Sequence, residues 1–224
     1  MQQTSLNLIA IGVFTMTLSS LLGPLFNISP AIPAIATFGI LGIATLDTLS
    51  WQGKGVTLLL DWLAGASPEY RDRIVRHEAG HFLVAYLLDI PITGYSLTAW
   101  EAFKQKQPGQ GGVTFADPEL TSPPSPILIQ RYSTVWMAGI AAETLVYGSA
   151  SGGADDRQKL QTVLATMGRP ASECLQQERF CTLQAKTLIQ EHWSAYEALV
   201  TAMAQRTPVA ECFQAIEQHR IGHQ

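Results

Sequence analysis

Apolar side chains open this chain in two long runs and afterwards recur in shorter periodic segments. Residues 6–26 form the first run, long enough to cross a hydrocarbon core as one helix, which takes about 20 residues. A polar break, Asn27-Ile28-Ser29-Pro30, separates it from a second run over 31–49. Within that run Gly39-Ile40-Leu41-Gly42 supplies small residues that allow helices to pack closely in lipid, so the pattern predicts a hairpin of two transmembrane helices over residues 1–51. Residues 52–66 read as a linker, with an amphipathic stretch over 56–63.

From Ser67 the period becomes that of a soluble helix. Ser67-Pro68-Glu69 offers a capping hydroxyl, a proline at the first turn and an acid at the positive helix end. Ile74, His77, His81, Val84 and Leu88 then recur at helical spacing, predicting a helix over 68–89 that Ile90-Pro91 ends. Residues 93–99 and 112–115 carry β-branched and aromatic residues on either side of Pro108-Gly109-Gln110-Gly111-Gly112, a small β element with a loop. A proline-rich connector over 117–126 follows. Helices are predicted over 128–147, 155–167, 178–205 and 208–219, the first stopped by Gly148 and containing the small patch Ala138-Gly139-Ile140-Ala141-Ala142. The fold class read from this pattern is mainly α with a small β element, preceded by two transmembrane helices.

Charge sharpens the division. No Asp, Glu, Lys or Arg occurs before Asp47, and the whole chain of 224 residues carries a formal net charge of -4. No Lys/Arg cluster forms, which argues against a nucleic-acid surface. Residues 1–5 lack the basic start of a cleavable signal, and a second apolar run follows the first, so the hairpin is expected to stay. The first basic residues after it, Lys54, Arg71, Arg73 and Arg76, place the following domain on the cytoplasmic side, or its organellar equivalent, by the positive-inside tendency. Cys174, Cys181 and Cys212 have no metal-binding spacing and suit a reducing compartment. Gly53-Lys54-Gly55 lacks the spacing and the hydroxyl of a phosphate loop, so neither ATP nor an ATPase is expected.

The chemistry lies in His77-Glu78-Ala79-Gly80-His81. Positions four apart on a helix share a face, so both imidazoles reach one ion, and neutral histidine is a preferred Zn²⁺ ligand. The glutamate between them can take a proton from a water that the ion activates, which makes this a reaction motif as well as a binding motif. Catalytic zinc needs a third protein ligand and one open position. Among the histidines, His192 falls inside a predicted helix, and His219 and His223 lie in the tail. The acidic candidates are Glu143 and the pair Asp155-Asp156, the pair standing at a helix start after a glycine loop; Glu143 alternatively orients a ligand histidine.

Taken in order, His77-Glu78-Ala79-Gly80-His81, Gly139-Ile140-Ala141-Ala142-Glu143 with Gly148, and Gly153-Ala154-Asp155-Asp156 resemble the FtsH-type membrane-bound zinc metalloprotease family. Tyr95-Ser96-Leu97-Thr98 and Gly111-Gly112-Val113-Thr114-Phe115 are similar to that family's segment after the metal helix, and the resemblance runs from about Arg71 to Met167. It implies a helical zinc peptidase domain over 67–224, without the family's ATP-driven unfoldase. Zn²⁺ would be held by His77, His81 and Asp156, with Asp155 the adjacent alternative, and Glu78 would be the catalytic base. Glu143 and Asp155 would support the ligands from behind. Arg157 departs from the family, which usually has a hydrophobic residue there. The activity implied is hydrolysis of peptide bonds in unfolded or membrane proteins, in a bacterial plasma membrane or thylakoid-type membrane. An extended substrate is expected to pair along residues 95–99. Expected partners are polypeptide substrates and membrane lipid, with full-length FtsH-type proteases or further copies of the chain. The alternative is a non-catalytic or weakly active membrane partner of those proteases. Glu69, Arg71, Asp72, Arg73 and Arg76 crowd the start of the metal helix and set the site outside the bilayer.

Overall fold

The computed structural model describes residues 2–27, 29, 31–51, 67–105, 111–116 and 125–220. The predicted amphipathic stretch over 56–63, the first part of the glycine loop and most of the 117–126 connector lie outside them. Two compact units divide the chain: Met1–Pro68 with Thr98–Trp100, and Glu69–Leu97 with Glu101–Gln224.

In the first unit, α1 spans Gln2–Leu22 and α2 spans Ala31–Trp51, with a 3-10 turn at Gly23–Phe26 between them. Asn27 closes that turn at φ 57, its N–H bonding the carbonyls of Gly23 and Pro24. Asparagine tolerates this left-handed conformation better than bulkier residues do. Thr37 links the two helices, its hydroxyl donating to Met16 Sδ (3.0 Å) and also to its own helix at the Pro33 carbonyl. Many apolar side chains of this unit are exposed, among them Phe14 at 65%, Phe38 at 81% and Leu49 at 77%. Two helices form where the transmembrane hairpin is expected, over 6–26 and 31–49, but among the described residues no helix is long and apolar enough to cross a membrane.

The second unit begins with α3, Pro68–Leu87, which carries the histidine motif. It ends two residues before the expected Asp89. Asp89 takes φ 55, and the Ile90 N–H returns to the Ala85 carbonyl (2.9 Å), a left-handed cap closed by the buried Ile90. Strand β1 (Ile92–Ser96) pairs antiparallel with β2 (Gly112–Phe115), bringing Tyr95 opposite Val113. Between them runs a short helix the sequence reading did not anticipate, α4, Ala99–Lys104. Next come α5 (Pro126–Tyr147), capped by Gly148 at φ 77, and α6 (Ala154–Thr166). The mainly α expectation with a small β element therefore holds among the described residues.

One predicted helix is two. Instead of a single helix over 178–205, α7 (Ala171–Glu191) and α8 (Trp193–Ala204) meet at His192, whose φ −116 and ψ 35 break the helical path. The break turns α8 onto α3, where the buried Tyr196 donates its hydroxyl to the Arg76 carbonyl at 2.9 Å. A continuous helix would carry Tyr196, Leu199 and Met203 past the core that they fill. The last helix, α9, spans Val209–Arg220.

The core lies behind the histidine face. Phe82, Leu83 and Val84 of α3, Val135 and Ala138 of α5, Tyr196, Leu199 and Met203 of α8, and Ile216 of α9 form one buried cluster. Phe82 meets Phe213 at 5.4 Å and Tyr95 edge-on at 6.2 Å, tying β1 and α9 to α3. A smaller cluster of Met137, Ile140, Leu160, Leu164, Cys174 and Cys181 joins α5, α6 and α7. The three cysteines are free and buried.

Candidate metal centre

His77 and His81 stand one turn apart on α3, with their rings edge to face at 4.7 Å. Each ring is held by its Nδ1. The His81 Nδ1 donates to the Val135 carbonyl at 2.7 Å, and that oxygen can only accept. The His77 Nδ1 lies 2.8 Å from Glu143 Oε1. With both Nδ1 atoms turned to acceptors, the Nε2 atoms point the other way, and both reach the same oxygen: Asp156 Oδ2 is 3.2 Å from His77 Nε2 and 3.4 Å from His81 Nε2.

Two imidazole lone pairs and a carboxylate facing one point repel unless a proton or a cation lies among them. The spacing fits a cation. Two ligand atoms each about 2.0–2.1 Å from a tetrahedral ion stand about 3.3 Å apart. The ligand atoms of His77, Glu78 and His81 lie within 4.8 Å of one another, so this group could hold a metal ion.

The same crowding shifts the ionisation of these side chains. Burial disfavours the His77 cation, but the hydrogen bonds to Asp156 and Glu143 outweigh it and raise the pKa from 6.5 to about 10. Burial likewise opposes the Asp156 charge, and the His81 and His77 imidazoles reverse that, holding the carboxyl far below the usual carboxylate range. Glu143 is also lowered, because its burial is offset by His77 and by the N–H groups of Ser151 and Gly152.

Glu78 also meets the β element. Its Oε2 accepts the Val113 N–H at 3.1 Å, which places β2 directly beside the motif glutamate. That N–H points away from β1. The strand beside Glu78 is thus β2.

Glycines set how closely the elements approach. A Cβ on Gly80 would lie 2.6 Å from the Ala138 carbonyl oxygen and 2.8 Å from the Ala142 side chain, so α3 and α5 pack almost backbone to backbone. A Cβ on Gly139 would fall 2.3 Å from His77 Nε2. One on Gly152 would stand 2.8 Å from Glu143 Oε1. The small-residue patch expected to pack against another helix packs against the metal helix.

The structure therefore brings together His77, His81, Asp156 and Glu143, with Glu78 alongside. Asp155, the alternative ligand and expected support, is exposed on the first turn of α6, while Asp156 is 8% exposed. Arg157, the departure from the family pattern, points to α7 and donates to Glu178 Oε1 at 2.9 Å. Sequence reasoning missed the Val135 carbonyl and the Val113 amide, since a backbone group leaves no mark in the sequence. It also passed over Arg73, whose guanidinium reaches Glu143 Oε2 at 3.4 Å. No known protein-family model and no curated protein matches this chain.

Proposed function

We propose that this chain is a membrane-anchored zinc metalloendopeptidase of the FtsH type, cutting unfolded or membrane polypeptides without a motor of its own. The observation that carries this reading is the convergence of His77 Nε2 and His81 Nε2 on Asp156 Oδ2, with Glu78 beside them and accepting the Val113 N–H. His77, His81 and Asp156 would hold the zinc, leaving one position open for substrate chemistry. When bound, zinc supplies Lewis acidity toward water and toward the scissile carbonyl. Glu78 takes the proton from the attacking water and returns it to the leaving amine. The Glu143 carboxylate and the Val135 carbonyl keep both imidazoles aimed at the site. An extended substrate is supported along the β2 edge beside Glu78, where backbone pairing gives affinity with little sequence preference.

The anchor is part of the proposal. Exposed Ile11, Phe14, Leu21, Ile35, Phe38 and Ile43 on α1 and α2 form apolar surface that bilayer lipid would cover.

The test uses the full chain in detergent. Zinc content by elemental analysis should approach one ion per chain, and the wild type should cleave casein without ATP. Glu78→Gln should keep the zinc and lose cleavage by at least about 100-fold, the size of a general-base contribution. Cleavage by Glu78→Gln at the wild-type rate sinks the mechanism, and a zinc-loaded wild type that never cleaves favours the non-catalytic membrane partner.

A further inference from the structure

Arg73 sits one turn before His77 on α3, outside the motif, and its guanidinium reaches both α5, which carries Glu143, and the loop that leads into α6. One Nη1 lies 3.4 Å from Glu143 Oε2 on α5 and donates to Ser151 Oγ at 3.1 Å in the loop before α6. The guanidinium carbon stands 4.0 Å over the Tyr147 ring, also on α5. Glu69 adds an ion pair at 3.7 Å.

Glu143 is the hub of this arrangement. One of its oxygens faces His77 Nδ1 at 2.8 Å and accepts the Gly152 N–H at 3.2 Å. The other accepts the Ser151 N–H at 2.9 Å and faces Arg73. Glu143 is almost fully buried, so its charge needs compensation beyond two amides and an imidazole. Ser151 lies three residues before the first residue of α6, on which Asp156 follows.

We infer that Arg73 is a positioning residue for two of the three proposed metal ligands, His77 and Asp156. It fixes the Glu143 carboxylate against His77, and it fastens the loop that delivers Asp156. The inference rests on the metal reading of the site. The planar guanidinium is suited to the task, because its fork lets Nη1 serve Glu143 and Ser151 while Nε pairs with Glu69 and its face lies on Tyr147. Lysine, a compact point charge, can compensate Glu143 but cannot also reach Glu69 with a second nitrogen or lay a planar face on Tyr147.

The test measures zinc affinity of the full chain by competition with a chromogenic chelator, for wild type, Arg73→Met, Arg73→Lys and Ser151→Ala. Thermal midpoints are taken in parallel on metal-free samples. Loss of a group that orients a ligand weakens metal binding about 10–100-fold, and Arg73→Met should fall in that range. Arg73→Lys should recover part of the loss, and Ser151→Ala should show a smaller loss in the same direction. The visible absorption of bound Co²⁺, which reports the ligand set, should change in Arg73→Met. An Arg73→Met chain that melts earlier but binds zinc and Co²⁺ as the wild type does overturns the inference and leaves the metal reading standing. A wild type that binds no zinc overturns both. Should Arg73→Met fail to fold, an Arg73→Lys chain with wild-type affinity and Co²⁺ spectrum overturns the role assigned to the fork.

Discussion

Gly139 shows how tightly a single position is constrained at this site. Its missing Cβ would lie 2.3 Å from His77 Nε2 and 2.5 Å from two ring carbons. The ring cannot swing aside, because Glu143 holds one nitrogen and Asp156 faces the other. Gly139→Ala is therefore expected to displace the imidazole, weakening zinc binding by more than tenfold and destabilising the fold by about 1–3 kcal/mol through overpacking. Chelator competition and urea denaturation check the two parts separately. The acid pair is separable in the same way. Asp156→Ala should abolish tight zinc binding, whereas Asp155→Ala should leave it within about twofold, since Asp155 is exposed.

At the scale of elements, the decisive feature is the close contact of α3 with α5. Alanine normally favours a helix over glycine by about 1 kcal/mol, so Gly80→Ala ought to stabilise an isolated α3. In the fold the added Cβ meets the Ala138 carbonyl at 2.6 Å, a backbone atom that cannot rotate away. The clash should win, giving net destabilisation of about 1–3 kcal/mol and a lower thermal midpoint. A Gly80→Ala chain that melts higher than wild type would show that the two helices have room to part. The break at His192 belongs to this scale too. Apolar periodicity runs through 178–205 without interruption, and only the position of the α3 core shows why the path must bend.

For the whole molecule, the charged cluster makes metal-free stability depend on pH in a definite direction. Asp156 and Glu143 have lowered pKa values, so their contributions are present above the ordinary carboxylate range near 4 and are lost as pH falls from there. His77 is raised to about 10, so its contribution is full below 6.5 and is lost as pH rises through about 10. Chelated protein should thus be most stable between about pH 4 and 6.5. Urea midpoints in the presence of EDTA at pH 5.5, 8 and 10 should fall in that order; a rise toward pH 10 would contradict the ion pair. Zinc must displace the His77 proton, so its affinity should climb about tenfold per pH unit between 7 and 9. The apolar surface of α1 and α2 adds a prediction of its own: the full chain should float with phosphatidylglycerol-containing vesicles in a density gradient and resist extraction at high salt.

The sequence by itself determined most of the helices and named the residues of the candidate site. The spacing of four between His77 and His81, and between Ala138 and Ala142, is a local fact that survives any packing, because helical period alone puts such positions on one face. It could name Glu143 and the pair Asp155-Asp156 but could not divide their roles by residue type, since carboxylates one position apart differ only in direction. Tertiary structure decided that division, turning Asp156 inward and leaving Asp155 outside. It also decided which strand edge flanks Glu78, where the long C-terminal helix breaks, and that Arg73 reaches Glu143 across 70 positions of chain. Each of these depends on contacts between distant segments, and the close approach of α3 and α5 brings those segments together.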